Sequence, residues 1–413
     1  MKSFLLRPNH LFRTIHPKHF RTLLSQFEYV KKKVIASLLD LHVTALSDST
    51  YSVMNLPIDD GGLGMYLFED ISKAAYFASG IAFDRSMLKL MITDNRGIEN
   101  NSFAQGIREL IPDFVRNRMF QPGHEGGLSF RDNIAVLSHE RLSAIQLQLA
   151  DTTLFDPKFA VWFNSLRNSS AGAWLTVTPA YYKMQLTSDR FSIALRYRYF
   201  LHLEHIRSSA KCSCLASLDV QGHHLVSFCR QGNNRNYLHR ALVQEFAAIS
   251  QYCGIWTKTE ERGLFRGVDP TCDLRPDVSL IHPPKSSKER LLLDVSVTHP
   301  SLRNSNSSAA EIRINQKIAK YLEISNLSGF DFLPVVFESS GSMHRDVILL
   351  LQRLAKHASG PRRIPWSTLL AYFEKRLSMA FQNALTGALS SRLLAINARS
   401  SCEVISEMEI LEC

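Results

Sequence analysis

Between residues 274 and 300, LRPDVSLIHPPKSSKERLLLDVSVTHP, apolar and polar positions alternate with a period of two, the pattern of a β-hairpin. One arm runs from Asp277 to Ile281 and the other from Arg290 to Thr298, with Pro283, Pro284, Lys285 and Ser286 as the turn. With Ile281 opposite Arg290, antiparallel counting sets Asp277 opposite Asp294. Asp277, Ser279, Asp294, Ser296 and Thr298 then share one face, and Val278, Leu280, Leu293, Val295 and Val297 the other. Like charges directly opposite destabilise a ladder, and a divalent cation between them removes the penalty, so the hairpin predicts a hard-metal site. The competing reading is a half-exposed hairpin in shifted register with two solvated aspartates.

Elsewhere the period is that of a helix. From Phe20 to about His205 apolar-periodic stretches such as FRTLLSQFEYVKKKVIASLLDLHVTAL dominate, broken by Gly and Pro clusters at 57–64 and 121–127. A helix from Ser188, as N-cap, to Ile206 ends this part. Beyond Lys211 the pattern predicts a helix over Tyr237–Cys253, the hairpin, a helix over Ala309–Ser325 and a strand over Phe332–Phe337. Helices over Arg345–His357 and Trp366–Ile396 follow, then an acidic tail with Glu403, Glu407, Glu409 and Glu412. The expected fold class is therefore mixed α+β: an all-α N-terminal half, a small zinc module and a C-terminal α/β core. The expected domains are 1–205, 206–235, 236–360 and 361–413.

On the helix after the hairpin, Ala310, Ile314, Lys317, Tyr321 and Ile324 follow helical spacing, which puts Lys317 on the inward face. A lysine there either snorkels or reaches the carboxylates. Lys320 stands to the side of the same helix and is its competitor. Glu260, upstream of the hairpin, is a candidate third acid, and Arg275 a candidate partner for a phosphate or for Asp277.

The chain has 413 residues, 45% apolar and 21% charged, a globular composition of two or three domains' length. No apolar run reaches the ~18 residues that span a bilayer, so no membrane partner is expected. The net charge of +10 favours a polyanion, with nucleic acid first. Candidate contacts are Lys31, Lys32 and Lys33 in the basic N-terminal segment, His239 and Arg240 on the 237–253 helix, and Arg275. The first 33 residues hold eight Lys or Arg, three His and only Glu28 as an acid, a composition shared by nucleic-acid-binding helices and mitochondrial presequences.

Three of the seven cysteines fall within residues 212–229, CSCLASLDVQGHHLVSFC. Cys212, Cys214 and Cys229 with one imidazole make the tetrahedral set that structural zinc prefers. His224 is favoured by its four-residue spacing to Cys229, and His223 remains the alternative. The odd cysteine count and the clustering point to a reducing compartment and not to disulfides. Cys253 falls on an apolar helix face and is expected in a core.

CSCLASLDVQGHH, Cys229, EERGLF with Glu260, RPDV, LLLDVSVTHP and the Lys-x-x-Lys-Tyr helix occur in an order that resembles the C-terminal regions of non-LTR retrotransposon polyproteins carrying a restriction-like endonuclease. The resemblance covers about residues 205–355. It implies a PD-(D/E)XK core in which Asp277 is the PD aspartate, Asp294 the second acid and Glu260 the upstream helix acid. The lysine of a D-x-K would fall at Ser296; the retrotransposon branch draws one from the following helix, matching Lys317 or Lys320. Also implied are Mg²⁺ or Mn²⁺ on Asp277 and Asp294, Zn²⁺ in the cysteine module, DNA and element RNA as partners, and a nuclear location. LPIDDGGLGMYLFEDISKAAYFAS, residues 56–79, resembles the segment after the polymerase palm, while no Tyr-x-Asp-Asp or Phe-x-Asp-Asp motif exists in the chain. The expected function is a metal-dependent DNA endonuclease region without polymerase activity; its rivals are a catalytically inactive nucleic-acid-binding remnant and a helical interaction scaffold.

Overall fold

The computed structural model describes residues 9–76, 78–79, 130–149, 151, 157–180, 182–203, 206, 211–212, 214–229, 234–286 and 288–411. The chain forms two compact units, Met1–Pro157 and Lys158–Cys413. The Gly and Pro cluster at 121–127 and Glu412 lie outside the described residues.

Among the described residues of the first unit every regular element is a helix. The longest of these are Phe130–Gln148 and Arg21–Leu38, the latter burying Leu24, Ile35 and Ala36 on one face. Ser47 caps Asp48–Met54 by accepting the N–H of Thr50. The GGLG segment then folds into a tight turn: Gly61 has φ +90°, and a Cβ on Gly62 would lie 1.9 Å from the Leu56 carbonyl oxygen. These glycines allow one backbone to pass against another.

In the second unit, α1 (Pro157–Leu166) and α2 (Ser188–Arg198) precede the cysteine module, and α3 (Asn234–Tyr252) follows it. Then come β1 (Trp256–Thr259), β2 (Val278–Ile281), β3 (Arg290–Thr298), α4 (Ala309–Leu327), β4 (Asp331–Glu338), α5 (Arg345–Arg362) and α6 (Trp366–Leu411). The strands form one sheet in the order β1-β2-β3-β4, the first two pairings antiparallel and the last parallel.

The pairing puts Ile281 opposite Arg290 and Val278 opposite Leu293, in the register expected from the alternation. Neither face of β3 is solvated. On one face α4 packs Tyr321 against Leu292 and Phe332, and Ile314 against Val336. On the other, Phe337 of β4 meets Phe246 of α3 and stacks on Phe381 of α6. A strand covered on both sides reads as a nearly continuous apolar run, which accounts for Leu291, Leu292 and Leu293 in sequence. It also removes the half-exposed hairpin, since Ser279, Asp294 and Ser296 are buried.

Several boundaries differ from the expected ones. The strand β1 is too short and too polar for a periodic signal. The helix begun at Ser188 is capped by Thr187 and stops at Arg198 instead of reaching Ile206. Phe200, at φ +58°, turns the chain so that the Leu203 N–H reaches the carbonyl of Val220 in the cysteine module. Residues 158–205 thereby belong to the same compact unit as that module, not to a 1–205 domain. At the other end α6 runs on to Leu411, well beyond Ile396.

Candidate metal centre and carboxylate site

Cys212, Cys214, His224 and Cys229 converge, each offering a ligand atom within 4.8 Å of the others. The Cys212 and Cys229 sulfurs are 3.5 Å apart, and Cys214 Sγ is 3.2 Å from His224 Nε2. Ligands about 2.3 Å from a tetrahedral centre stand about 3.7 Å from each other, so this set is close to the shell that zinc requires. The backbone explains both unusual spacings. A turn with Leu215 N–H on the Cys212 carbonyl, and Leu215 at φ +67°, lets two cysteines one residue apart face one point. A single wide turn over His224–Phe228, closed by Cys229 N–H on the His224 carbonyl, takes up the long His-to-Cys gap.

Asp219, which the spacing did not single out, holds this turn. Its carboxylate accepts the N–H groups of His223 and His224 at 2.7 and 2.6 Å. The same turn separates the two histidines. His224 faces the sulfurs, while His223 is buried among Trp162, Tyr197, Phe200 and His299, with ring centres 4.6–5.0 Å away. Burial lowers the His223 pKa to about 3, as befits a neutral core histidine. Cys253 lies in the core as expected, its thiol pushed up to about 11 by burial.

The acidic site forms where β2 ends and β3 continues. Pairing with β2 covers only Arg290–Leu293, leaving Asp294–Thr298 without a neighbour on that side. Pro276 has no N–H to extend the ladder, and Asp277 falls just outside the strand, its own N–H going to the Leu293 carbonyl at 3.0 Å. The Asp277 carboxylate instead takes the orphaned Val295 N–H, at 2.6 Å to Oδ2. His239 Nε2 is 3.0 Å from the same oxygen. Its pKa is raised by this hydrogen bond, against the effect of its partial burial.

Asp294 is ion-paired with Lys317 of α4; the two side chains are 5% and 14% exposed. The inward stripe therefore includes Lys317, with Ile314 and Tyr321 buried on either side. Lys320 is exposed, its ammonium 5.1 Å from the Tyr321 ring centre. Tyr321 donates to the Arg275 carbonyl at 3.0 Å, and burial together with Asp294 and Asp277 raises its hydroxyl pKa. Ser296, two residues after Asp294, is buried with no hydrogen bond to its hydroxyl.

Three placements depart from expectation. Glu260 is not on a helix: it follows β1 in a turn at φ +51°, donates its N–H to the Asp277 carbonyl and pairs with Arg275 at 3.7 Å. His239 touches Asp277, whereas Arg240 beside it is exposed. Lys31 is buried, its ammonium on Glu28 at 2.9 Å and on the Tyr66 carbonyl at 3.0 Å, so it presents no charge to a phosphate. Lys32 pairs with Asp48 at 2.6 Å, and of the three only Lys33 is exposed. Desolvation lowers the Lys31 pKa despite Glu28, which makes the group structural. Lys31→Ala is expected to destabilise the chain by about 1–3 kcal/mol in urea unfolding. Lys33→Ala should leave the midpoint unchanged; equal effects would contradict the assignment.

Neither a family model nor a curated protein matches this chain. Among the described residues no helix is long and apolar enough to cross a membrane.

Proposed function

We propose that this chain is the nuclease-bearing region of a retroelement polyprotein, cleaving DNA phosphodiester bonds with a divalent metal and lacking polymerase activity. The observation that carries this reading is the meeting of Asp277, Asp294 and Lys317 at the open end of β3. The sheet between helices and the order of motifs along the chain support a restriction-like endonuclease core. The serine at the D-x-K position fits the same picture, because α4 delivers a lysine to the face on which Ser296 stands.

The acids suit a hard cation. Mg²⁺ is commonly held by one or two carboxylates with the remaining positions filled by water and substrate phosphate, so a two-aspartate site needs no third acid. Asp277 keeps one oxygen outside its bonds to Val295 and His239, and Asp294 keeps one outside its pair with Lys317. When bound, Mg²⁺ or Mn²⁺ would supply Lewis-acid stabilisation of charge on the phosphate and a water of lowered pKa. Lys317, paired with Asp294, orients the attacking water or a phosphate oxygen. Arg275, two residues before Asp277, Arg240, next to His239 on α3, and Lys320, on the helix of Lys317, are exposed cations that position the phosphate backbone. The Cys212, Cys214, His224 and Cys229 cluster holds zinc and, with the basic surface, helps grip DNA or element RNA in the nucleus.

A second reading, a nucleic-acid-binding remnant without chemistry, is favoured by one observation: Glu260 pairs with Arg275 and so stays out of the acid pair. Nicking of supercoiled plasmid with Mg²⁺ or Mn²⁺, against an EDTA control, separates the two. Normal DNA binding with no nicking under either metal would leave only the remnant. Binding itself should follow counterion release. Replacing Arg240, Arg275 and Lys320 together with Ala is expected to reduce the slope of log K against log salt by about 0.9 per lost phosphate contact. An unchanged slope would move the DNA contact to another surface.

A further inference from the structure

Trp256 is an unusual surface residue. It is 72% exposed, whereas Trp162 and Trp174 are 1% and 4% exposed, and Trp366 lies beneath the Lys356 ammonium, 4.9 Å from its ring centre. Large aromatic side chains are mostly covered, and those on which nucleobases stack are among the exceptions. Its place in the sheet is defined. β1 is an edge strand, Trp256 pairs with Ile281 and Lys258 with Ser279. Residues directly opposite share a face, so Trp256 and Lys258 stand on the face of Ser279, Leu292 and Asp294. The ladder continues as Glu260 N–H to the Asp277 carbonyl. Four residues of strand separate Trp256 from that bond, about 13 Å at the usual rise. This is about the span of four stacked nucleotides at 3.4 Å each.

We propose that Trp256 is a stacking platform for an unpaired nucleobase, so that the substrate is nucleic acid with a single-stranded stretch a few nucleotides from the bond at Asp277 and Asp294. The placement relative to cleavage rests on the nuclease reading above; the base-binding itself does not. In a duplex both faces of each internal base are already stacked, and an indole on a sheet has nothing to cover. An unpaired base offers a free π-face whatever its identity, while nearby cations follow its phosphates. Lys258, on the same face, pairs with Glu261 at 3.1 Å, and Arg275 pairs with Glu260 at 3.7 Å, each side chain staying partly open to solvent. The chain's net charge of +10 favours a polyanion over the other occupant an open strand edge invites, a β-strand from a second polypeptide.

The test is intrinsic fluorescence of the full chain in EDTA, titrated at fixed salt with a short oligothymidylate or with a blunt duplex of equal length. The oligothymidylate should quench the wild type, and Trp256→Ala should weaken its binding about 5- to 150-fold, the loss of one base–aromatic stack. Trp256→Phe should stay within about threefold of wild type because a ring remains, and duplex affinity should change less than about twofold in either variant. Equal losses on both probes, no loss on either, or wild-type binding to neither would overturn the proposal. So would quenching that grows with protein concentration alone, which would assign the tryptophan to self-association. Asp294→Ala separates the two readings: it should abolish nicking while leaving oligothymidylate quenching intact. Trp256-dependent quenching in a chain that never nicks would sink the nuclease reading and keep the platform.

Discussion

Lys317→Ala is expected to lower plasmid nicking by about 10²- to 10⁴-fold, the range for losing a group that acts on protons or developing charge. DNA affinity should change little. The same substitution removes the partner of a buried carboxylate, and stranding one charge of a buried pair costs about 3–5 kcal/mol. A urea midpoint must therefore accompany the activity. Asp294→Asn with Lys317→Met removes both charges at once and should recover much of the stability but none of the cleavage. Lys320→Ala provides the contrast: its ammonium is in solvent above the Tyr321 ring, an exposed contact of about 0.5–1 kcal/mol. If Lys320→Ala proves the more damaging of the two for nicking, the catalytic amine is not the one that meets Asp294.

Zinc content should be about one per chain in the wild type and should fall in Cys214→Ser and His224→Ala, because four ligands close a structural tetrahedron and three do not. His223→Phe should keep its zinc, since that ring packs against Trp162, Tyr197 and Phe200 and points no nitrogen at the sulfurs. Structural zinc in isolated fingers contributes about 10–16 kcal/mol of apparent binding free energy. Even a fraction of that is large beside the stability of a domain. Loss of metal should be felt beyond the module, because His223 joins it to Trp162 of α1 and to His299 just past β3. A red shift in tryptophan emission on chelation would report this, and an unchanged emission with zinc fully removed would show the module to be mechanically separate.

What could be read from the chain was whatever its local periodicity encodes. The limits of β3 follow from a run of nine residues between a turn and a proline, and the inward placement of Lys317 from its spacing to Ile314 and Tyr321. The four cysteine-module ligands were legible because a metal shell demands particular side chains close together in sequence. What was hidden depends on residues far apart. Glu28 lies one turn away from Lys31 on the same helix, but nothing local marks the lysine as buried, because the carbonyls of Met65 and Tyr66 reach it only in the folded unit. His239 was read with Arg240 as a nucleic-acid contact, and only the docking of α3 beside the end of β2 brings it to Asp277. Glu260 was expected on a helix from the resemblance alone, whereas a left-handed residue after a four-residue strand leaves no periodic trace.

Asp277 closes the backbone of β3 with the same side chain that faces Asp294. The Val295 amide that it accepts belongs to the peptide bond joining Asp294 to Val295, so one acid is tethered to the main-chain link of the other. One peptide unit thereby fixes the Asp277 side chain relative to the main chain at Asp294.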